Sequence, residues 1–206
     1  WIEAAMPPVV TSLDYSRDGK LLATGSYDHS AKLWDSGSGK LLLTLEGHQK
    51  PLRAVAFSPD GGLLATAGGD RTIRLWATAT GKPSETASEH DNNVRALAFA
   101  PTGARLVSAS EDRTLNLWNI EPGPRSSVGK MPRLRLAKKV RDRDQIWSAA
   151  YSPDGALLAT GGADGIPRFW DQELGGHRAA IGTHPGGIQC LAFAPNGAIL
   201  ATGGQD

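Results

Sequence analysis

The chain has 206 residues, a net charge of +1, one cysteine and 6% aromatic residues. The single cysteine excludes an intrachain disulfide framework and is typical of a reducing compartment such as the cytoplasm. The sequence contains no signal peptide and no apolar stretch long enough to form a membrane-spanning helix.

Taken in chain order, the sequence shows one pattern of short segments five times. In the second copy, an alternating apolar run at residues 55–57 ends in an aromatic and leads into a Ser-Pro-Asp-Gly turn at 58–61. A second short run follows at 64–67, then a tight turn carrying Asp70, then a third run ending at Trp76. A fourth segment, such as residues 41–45, precedes the next copy. Short alternating runs between turn residues indicate antiparallel strands.

The copies recur at a fixed interval. An aspartate precedes a tryptophan by six residues in four of them, and the tryptophans lie 42, 42 and 52 residues apart, at Asp28/Trp34, Asp70/Trp76, Asp112/Trp118 and Asp164/Trp170. Asp206 continues the series. A period of this size indicates a repeat architecture, with approximate repeats at 1–36, 37–78, 79–120, 121–172 and 173–206.

Four short strands in each repeat predict one blade of a β-propeller. The motifs Gly47-His48, 58–61, 64–66 and 70–76 resemble those of the WD-repeat β-propeller family, and the resemblance covers essentially the whole chain. It implies an all-β fold of four-stranded antiparallel blades. Residues 1–5 match a fourth-strand segment and the fifth repeat stops before its third strand. We therefore expect an incomplete ring from a longer protein, which associates with another copy or with the rest of its propeller.

The resemblance also implies a buried hydrogen-bonded set in each complete repeat, formed by a histidine, a serine or threonine, an aspartate and the tryptophan. These sets are His48/Thr66/Asp70/Trp76 and His90/Ser108/Asp112/Trp118. The other repeats depart from the pattern. Met6 and Asp142 replace the histidine in the first and fourth, and the fifth has His184, Thr202 and Asp206 without a tryptophan. We expect these three blades to be less rigidly fixed.

Partner contacts in this family come from the face around the central channel. The matching positions are Thr11, Arg53, Arg95, Trp147 and Gln189, with Tyr27 and Glu111 just before the turn aspartate. Arginine, tryptophan and tyrosine are enriched at interface hot spots. The resemblance therefore implies a non-catalytic scaffold that binds a protein or peptide, with an acidic or phosphorylated ligand held by Arg53 and Arg95. Alternatively, the arginines are solvated or pair with Glu111, and Trp147 fills the channel mouth.

A basic segment interrupts the regular spacing. Residues 121–146 hold eight basic and three acidic side chains, and the ten extra residues of the long interval lie in 121–143. Prolines and glycines at its start predict a loop, and the alternating residues Leu134, Leu136, Lys138 and Val140 predict a basic outer strand. Such a segment is a solvated loop in one reading and a surface for nucleic acid, an anionic membrane surface or an acidic partner in another.

Enzyme signatures are absent from the sequence. No cysteine and histidine residues have zinc-site spacing, and the glycine-rich residues 161–165 lack the following helix of a nucleotide-binding loop. We expect no catalytic residue, metal or cofactor, although an activity elsewhere in a larger protein, with this chain as an accessory module, is compatible with the pattern. Cys190 aligns with Ala54, Ala96 and Ser148 and is predicted to be a small core residue.

Overall fold

The computed structural model describes residues 9–123, 125–126, 129–179 and 182–206, which form strands and turns without a helix. The first two blades contain β1 (Val10–Tyr15), β2 (Leu21–Ser26), β3 (Ala31–Asp35) and β4 (Leu41–Leu45), then β5 (Leu52–Phe57), β6 (Leu63–Gly68), β7 (Ile73–Ala77) and β8 (Pro83–Ala87). The third contains β9 (Val94–Phe99), β10 (Arg105–Ser110), β11 (Thr114–Glu121) and, after the small hairpin β12 (Arg125–Ser126) and β13 (Gly129–Lys130), β14 (Arg133–Arg141). The fourth and fifth contain β15 (Ile146–Tyr151), β16 (Leu157–Gly162), β17 (Arg168–Asp171) and β18 (His177–Ala179), then β19 (Ile188–Phe193) and β20 (Leu200–Gly204).

Each of the first four blades is an antiparallel four-stranded sheet, and the fifth has two strands within the described residues. The prediction of an all-β fold built from four-stranded blades is confirmed. The inner strands contact one another in the order β1, β5, β9, β15 and β19, and apolar clusters fill the spaces between successive blades. The described blades therefore form an open arc around a channel rather than a closed ring, as the ragged sequence pattern predicted.

Local hydrogen bonds explain both kinds of turn. In the Ser-Pro-Asp-Gly turn, the Ser58 hydroxyl donates to the Asp60 carboxylate, and Gly61 has a φ of 70° that glycine adopts without a steric cost. In the turn between the second and third strands, the residue after the aspartate is left-handed. Arg71 and Arg113 have φ values of 67° and 70°, and Gly165 takes the same place in the fourth blade. These turns direct the aspartates back into the blades.

The two ends of the arc expose side chains that the inner blades bury. Val10, Leu13 and Tyr15 of β1 are 54, 61 and 54% exposed, whereas the residues at the matching positions of β5 are 0 to 6% exposed because they pack against the first blade. At the other end Cys190 is exposed. The prediction that Cys190 lies in the core was wrong, because no sixth blade covers this face of β19 among the described residues.

The basic segment continues the third blade. β11 extends to Glu121, and the predicted basic outer strand is β14, which pairs with β11 from Thr114 to Glu121. A bulge at Ala137 interrupts the predicted alternation, so Leu134 and Leu136 face the second blade while Val140 packs towards the fourth. Residues 124 and 127–128 of the predicted loop, and residues 1–8, which include Met6 and the predicted fourth-strand segment 1–5, lie outside the described residues.

Candidate partner-binding site at the channel mouth

Each of the two complete sets forms a continuous hydrogen-bond network within its own blade. In the second blade, His48 lies 2.8 Å from the Asp70 carboxylate through Nδ1 and 2.8 Å from the Thr66 hydroxyl through Nε2. The Trp76 indole N–H donates to the same hydroxyl at 2.8 Å. In the third blade, His90, Ser108, Asp112 and Trp118 repeat this arrangement at 2.7 to 2.9 Å.

The arrangement in the third blade has the hydrogen-bond order of a hydrolase triad, but its hydroxyl cannot reach a substrate. Ser108 is 0% exposed, and its oxygen already accepts the Trp118 indole N–H. Burial opposes ionisation of Asp112, but hydrogen bonds from His90, Thr114 and the Asp91 backbone outweigh it and hold the pKa of Asp112 below its usual range. Such a fully paired buried set stabilises the blade.

The fourth blade replaces the histidine with an ion network. Asp142 occupies the histidine position and is buried, and Arg168 bridges it to the turn aspartate Asp164. The Arg168 Nε lies 3.2 Å from Asp142 and its Nη1 donates to Asp164 at 3.1 Å. Trp170 still donates to Thr160 at 2.9 Å. The ion network of Asp142, Arg168 and Asp164 therefore replaces the missing histidine contacts, and the fourth blade has its own buried polar set.

The first and fifth blades keep parts of the set. Trp34 donates to Thr24 at 2.9 Å, and Asp28 accepts hydrogen bonds from Ser30 and Lys32. Burial opposes ionisation of Asp28, but these bonds lower its pKa to about 2. In the fifth blade, His184 contacts Asp206 at 2.7 Å and Thr202 at 2.8 Å, in a more exposed setting than that of His48.

A β-bulge positions each side chain of the predicted inner ring. In every blade, the first strand carries one extra residue relative to its partner strand, and the register shift falls at Thr11, Arg53, Arg95, Trp147 and Gln189. A bulge leaves its extra residue outside the ladder and re-aims the side chain. The structure thus places all five side chains on the wall of one channel, a cavity of about 760 Å³ lined by the five inner strands.

Arg53 forms one half of the channel mouth with Tyr27. Its guanidinium lies 4.9 Å from the centre of the Tyr27 ring, and Nη1 donates to the Tyr27 hydroxyl at 3.0 Å. Arg53 forms no ion pair with any carboxylate in the described part of the chain, and its Nε is buried without a hydrogen-bond partner there. The aromatic contact holds the arginine in place without neutralising its charge.

Arg95 forms the other half with residues from three blades. It lies over the Trp147 ring at 5.9 Å and reaches Gln189 at 3.5 Å and Glu111 at 3.4 Å. Glu111 makes a shorter bond, 2.8 Å, with the Asn93 amide. The pairing of Arg95 with Glu111, one of the sequence alternatives, is therefore present but long, whereas Arg53 is not paired in this way.

Two further residues shape the mouth. The Thr11 hydroxyl lies 3.0 Å from the Gly25 carbonyl and 2.8 Å from the Leu52 carbonyl, so it links the first two blades. Gly187, at a contact position that the repeat alignment also gives, has a φ of 83°, and a Cβ there would lie 2.5 Å from the Trp147 ring. The Trp147 indole therefore packs directly on the Gly187 backbone. The sequence signal for this contact was a glycine at position 187, in the blade next to the one that carries the unusually large Trp147.

The fold and its repeated buried sets define a WD-type β-propeller arc. The family model described as "WD domain, G-beta repeat" matches residues 6–35, 39–77, 81–119, 137–171 and 174–206. The chain belongs to this family, as the sequence motifs predicted. No helix in the described part of the chain is long and apolar enough to cross a membrane, and no three metal-binding side chains cluster there.

The matches to curated relatives each extend over about the length of one repeat. The chain is 46% identical over 48 residues to "Dynein assembly factor with WD repeat domains 1" of Homo sapiens and 44% identical to the protein of the same name in Danio rerio. Both matches cover 23% of this chain and 12% of the relative. It is also 52% identical over 46 residues to "F-box-like/WD repeat-containing protein TBL1X" of Mus musculus, covering 22% of this chain and 8% of that protein.

Proposed function

We propose that this chain is a rigid, non-catalytic interaction scaffold that binds an acidic or phosphorylated peptide segment at the channel mouth. The observation that carries the proposal is the set of five β-bulges. In the first strand of each blade, the bulge leaves one residue outside the sheet ladder, and that residue has the same repeat position in all five blades. The relatives are named as an assembly factor and a WD repeat-containing protein, which agrees with a scaffold role. The single cysteine is typical of a reducing compartment such as the cytoplasm.

The charges at the mouth specify the ligand chemistry. Arg53 supplies a cation without a carboxylate partner, and a ligand phosphate or carboxylate can replace the long 3.4 Å contact between Arg95 and Glu111. Charge-assisted hydrogen bonds to arginine are about twice as strong as neutral ones. Trp147, Tyr27 and Gln189 flank the two guanidinium groups, and Thr11 keeps the first two blades in register beneath them.

Charge reversal at the mouth tests this proposal. The probe is a phosphoserine flanked by one glycine on each side, too short to form a strand, and the readout is calorimetric affinity with the melting temperature as control. Arg53→Glu combined with Arg95→Glu is expected to abolish binding and leave the melting temperature nearly unchanged. Arg17→Glu with Lys40→Glu, both at exposed positions, changes the net charge equally and should bind normally. Undiminished binding by the first double variant would contradict the site.

The basic segment 121–143 supports a second candidate, binding of nucleic acid or an anionic surface. Five exposed cations lie on β14, the outer strand of the third blade, at Arg133, Arg135, Lys138, Lys139 and Arg141. Binding through a phosphate backbone would fall steeply with rising salt. Affinity for an oligonucleotide measured across a salt series separates this candidate from the channel-mouth site.

We also propose that the two open faces of the arc are covered by further blade surface, from a second copy or from the rest of a propeller. Leu13 and Tyr15 at one face are more than half exposed, although their counterparts Val55 and Phe57 are buried. Apolar residues at these positions stabilise contacts between blades. Sedimentation equilibrium at micromolar concentration tests this: association is expected, and a stable monomer would contradict it.

A further inference from the structure

The outer strand of the third blade differs from the other outer strands. β14 has nine residues, whereas β4 and β8 have five and β18 has three. The strand order of its sheet is β14-β11-β10-β9. One edge of β14 pairs with β11, and within the described ranges no strand pairs with the other edge.

The cations of β14 are largely free of acidic partners. Among the described residues, only Arg135 of its five lysines and arginines meets a carboxylate, that of Glu121 at 3.7 Å. The Lys139 ammonium donates to the Glu89 carbonyl oxygen at 2.7 Å, a contact that leaves its charge uncompensated. The end of β14 from Lys138 to Arg141 therefore carries positive charge without an ion pair among the described residues.

The backbone of this edge offers hydrogen bonds to a ligand. The Asp142 N–H donates inward to the Arg113 carbonyl at 2.8 Å, so the alternation of an antiparallel ladder directs the N–H groups of Arg141 and Lys139 outward. At the other end of the strand, the outward N–H of Leu134 already donates to the Glu85 carboxylate at 2.5 Å. A carboxylate therefore already binds one donor of this edge.

A groove gives access to the edge. A cavity of about 390 Å³ lies between β14 and the segment that contains β8, with Trp118, Leu134 and Leu136 on its apolar side. Arg133 and Arg135 line the same groove together with Glu85, Glu89 and Glu121, so charges of both signs surround it. An extended chain lying along β14 would meet apolar surface and charges of both signs in the groove, and beyond it the outward N–H groups and the positive charges of Lys139 and Arg141.

We propose that the free edge of β14 binds an extended acidic peptide by strand addition. Main-chain hydrogen bonds supply affinity in this mode, and side chains at alternate positions supply specificity. The lysines and arginines select acidic strands and repel basic ones. Positive charge on an edge strand also prevents pairing with like sheets, but that protective role predicts no peptide binding. No aromatic residue on β14 is available to stack a base, so the geometry favours a peptide over nucleic acid.

The test separates strand addition from attraction by charge alone. The probe is a fluorescent peptide as long as β14 with alternating glutamate and valine, compared by anisotropy with the same peptide N-methylated at alternate backbone amides. Binding to the 206-residue chain is expected, and N-methylation should weaken it about tenfold, as the loss of one or two net hydrogen bonds implies.

Variants of the protein locate the site. Lys139→Glu with Arg141→Glu should weaken the unmodified peptide about tenfold or more, since both attraction and register are lost. The control pair Arg17→Glu and Lys40→Glu carries the same net charge change and should bind within about twofold. Equal binding of the N-methylated peptide, insensitivity to the β14 changes, or displacement by oligothymidine at lower concentration than by unlabelled peptide would each overturn the proposal. The channel-mouth variants should bind this peptide normally, which keeps the two sites distinguishable.

Discussion

Replacing Arg168 with methionine tests the ion network of the fourth blade. Arg168 is 5% exposed and lies between two aspartates, Asp142 and Asp164. Its removal leaves two carboxylates close together without their cation, and breaking a buried ion pair in this way costs about 3–5 kcal/mol. For a chain of this size, each kcal/mol lowers the melting temperature by about 2–4 °C.

The matched control is Arg74→Met, since Arg74 has the corresponding place in the second blade and forms no ion pair within the described residues. We expect it to cost about 1 kcal/mol or less, as a half-buried residue without a charged partner. Combining Arg168→Met with Asp142→His rebuilds the histidine set and should recover most of the lost stability. Calorimetric unfolding of the three variants measures these changes in stability. Equal losses for Arg168→Met and Arg74→Met would refute the ion network.

Three further predictions follow from the same contacts. Asp70→Ala or Asp112→Ala should destabilise the fold by about 1–3 kcal/mol because each leaves buried donors unpaired, and Asp28→Ala should cost less in the same chemical-denaturation assay, since its hydrogen bonds are partly exposed. The pKa values of Asp70 and Asp112 are lower in the folded protein than in the unfolded chain, so both residues contribute stability above the unfolded pKa of about 3.9, and this stability is lost as the pH falls towards the folded values. The melting temperature should therefore decrease below about pH 5 in a pH series. The decrease should be less steep for Asp70→Asn. Deleting residues 124–130 should leave a folded arc, as measured by circular dichroism. The two residues that the deletion would join are already close, because a Cβ on Gly123 would lie 1.9 Å from the Met131 carbonyl oxygen. Unfolding of the variant would show that the segment belongs to the core.

The sequence predicted what depends on the repeat and missed what depends on pairing between strands. The aspartate, tryptophan and histidine positions recur at fixed offsets, so the fold and the fully paired sets around His48 and His90 could be predicted by alignment. The bulge at Arg53 could not, because a bulge is a relation between two strands and leaves no mark in one. Arg168 has the same place in its repeat as Arg74, and its role becomes visible only beside Asp142.

Two other differences have the same origin. Cys190 occupies a position that a following blade covers in every earlier repeat, so its burial depended on a neighbour that alignment could not supply. The alternation from Leu134 to Val140 predicted a strand correctly, but the bulge at Ala137 reverses which face its second half presents. Local pattern therefore determined the element, and tertiary contact determined its orientation.

Arginine side-chain resonances test the channel-mouth account most directly. The measurement is a ¹H–¹⁵N spectrum of the arginine Nε–H groups during titration with the glycine-flanked phosphoserine probe. The Nε–H groups of Arg53 and Arg95 are expected to shift together and saturate with one affinity, because both guanidinium groups line the same channel. The Arg53 signal should change most, since its Nε has no partner among the described residues. Unchanged Arg53 and Arg95 signals, with shifts confined to Arg133, Arg135 and Arg141 of β14, would contradict the account.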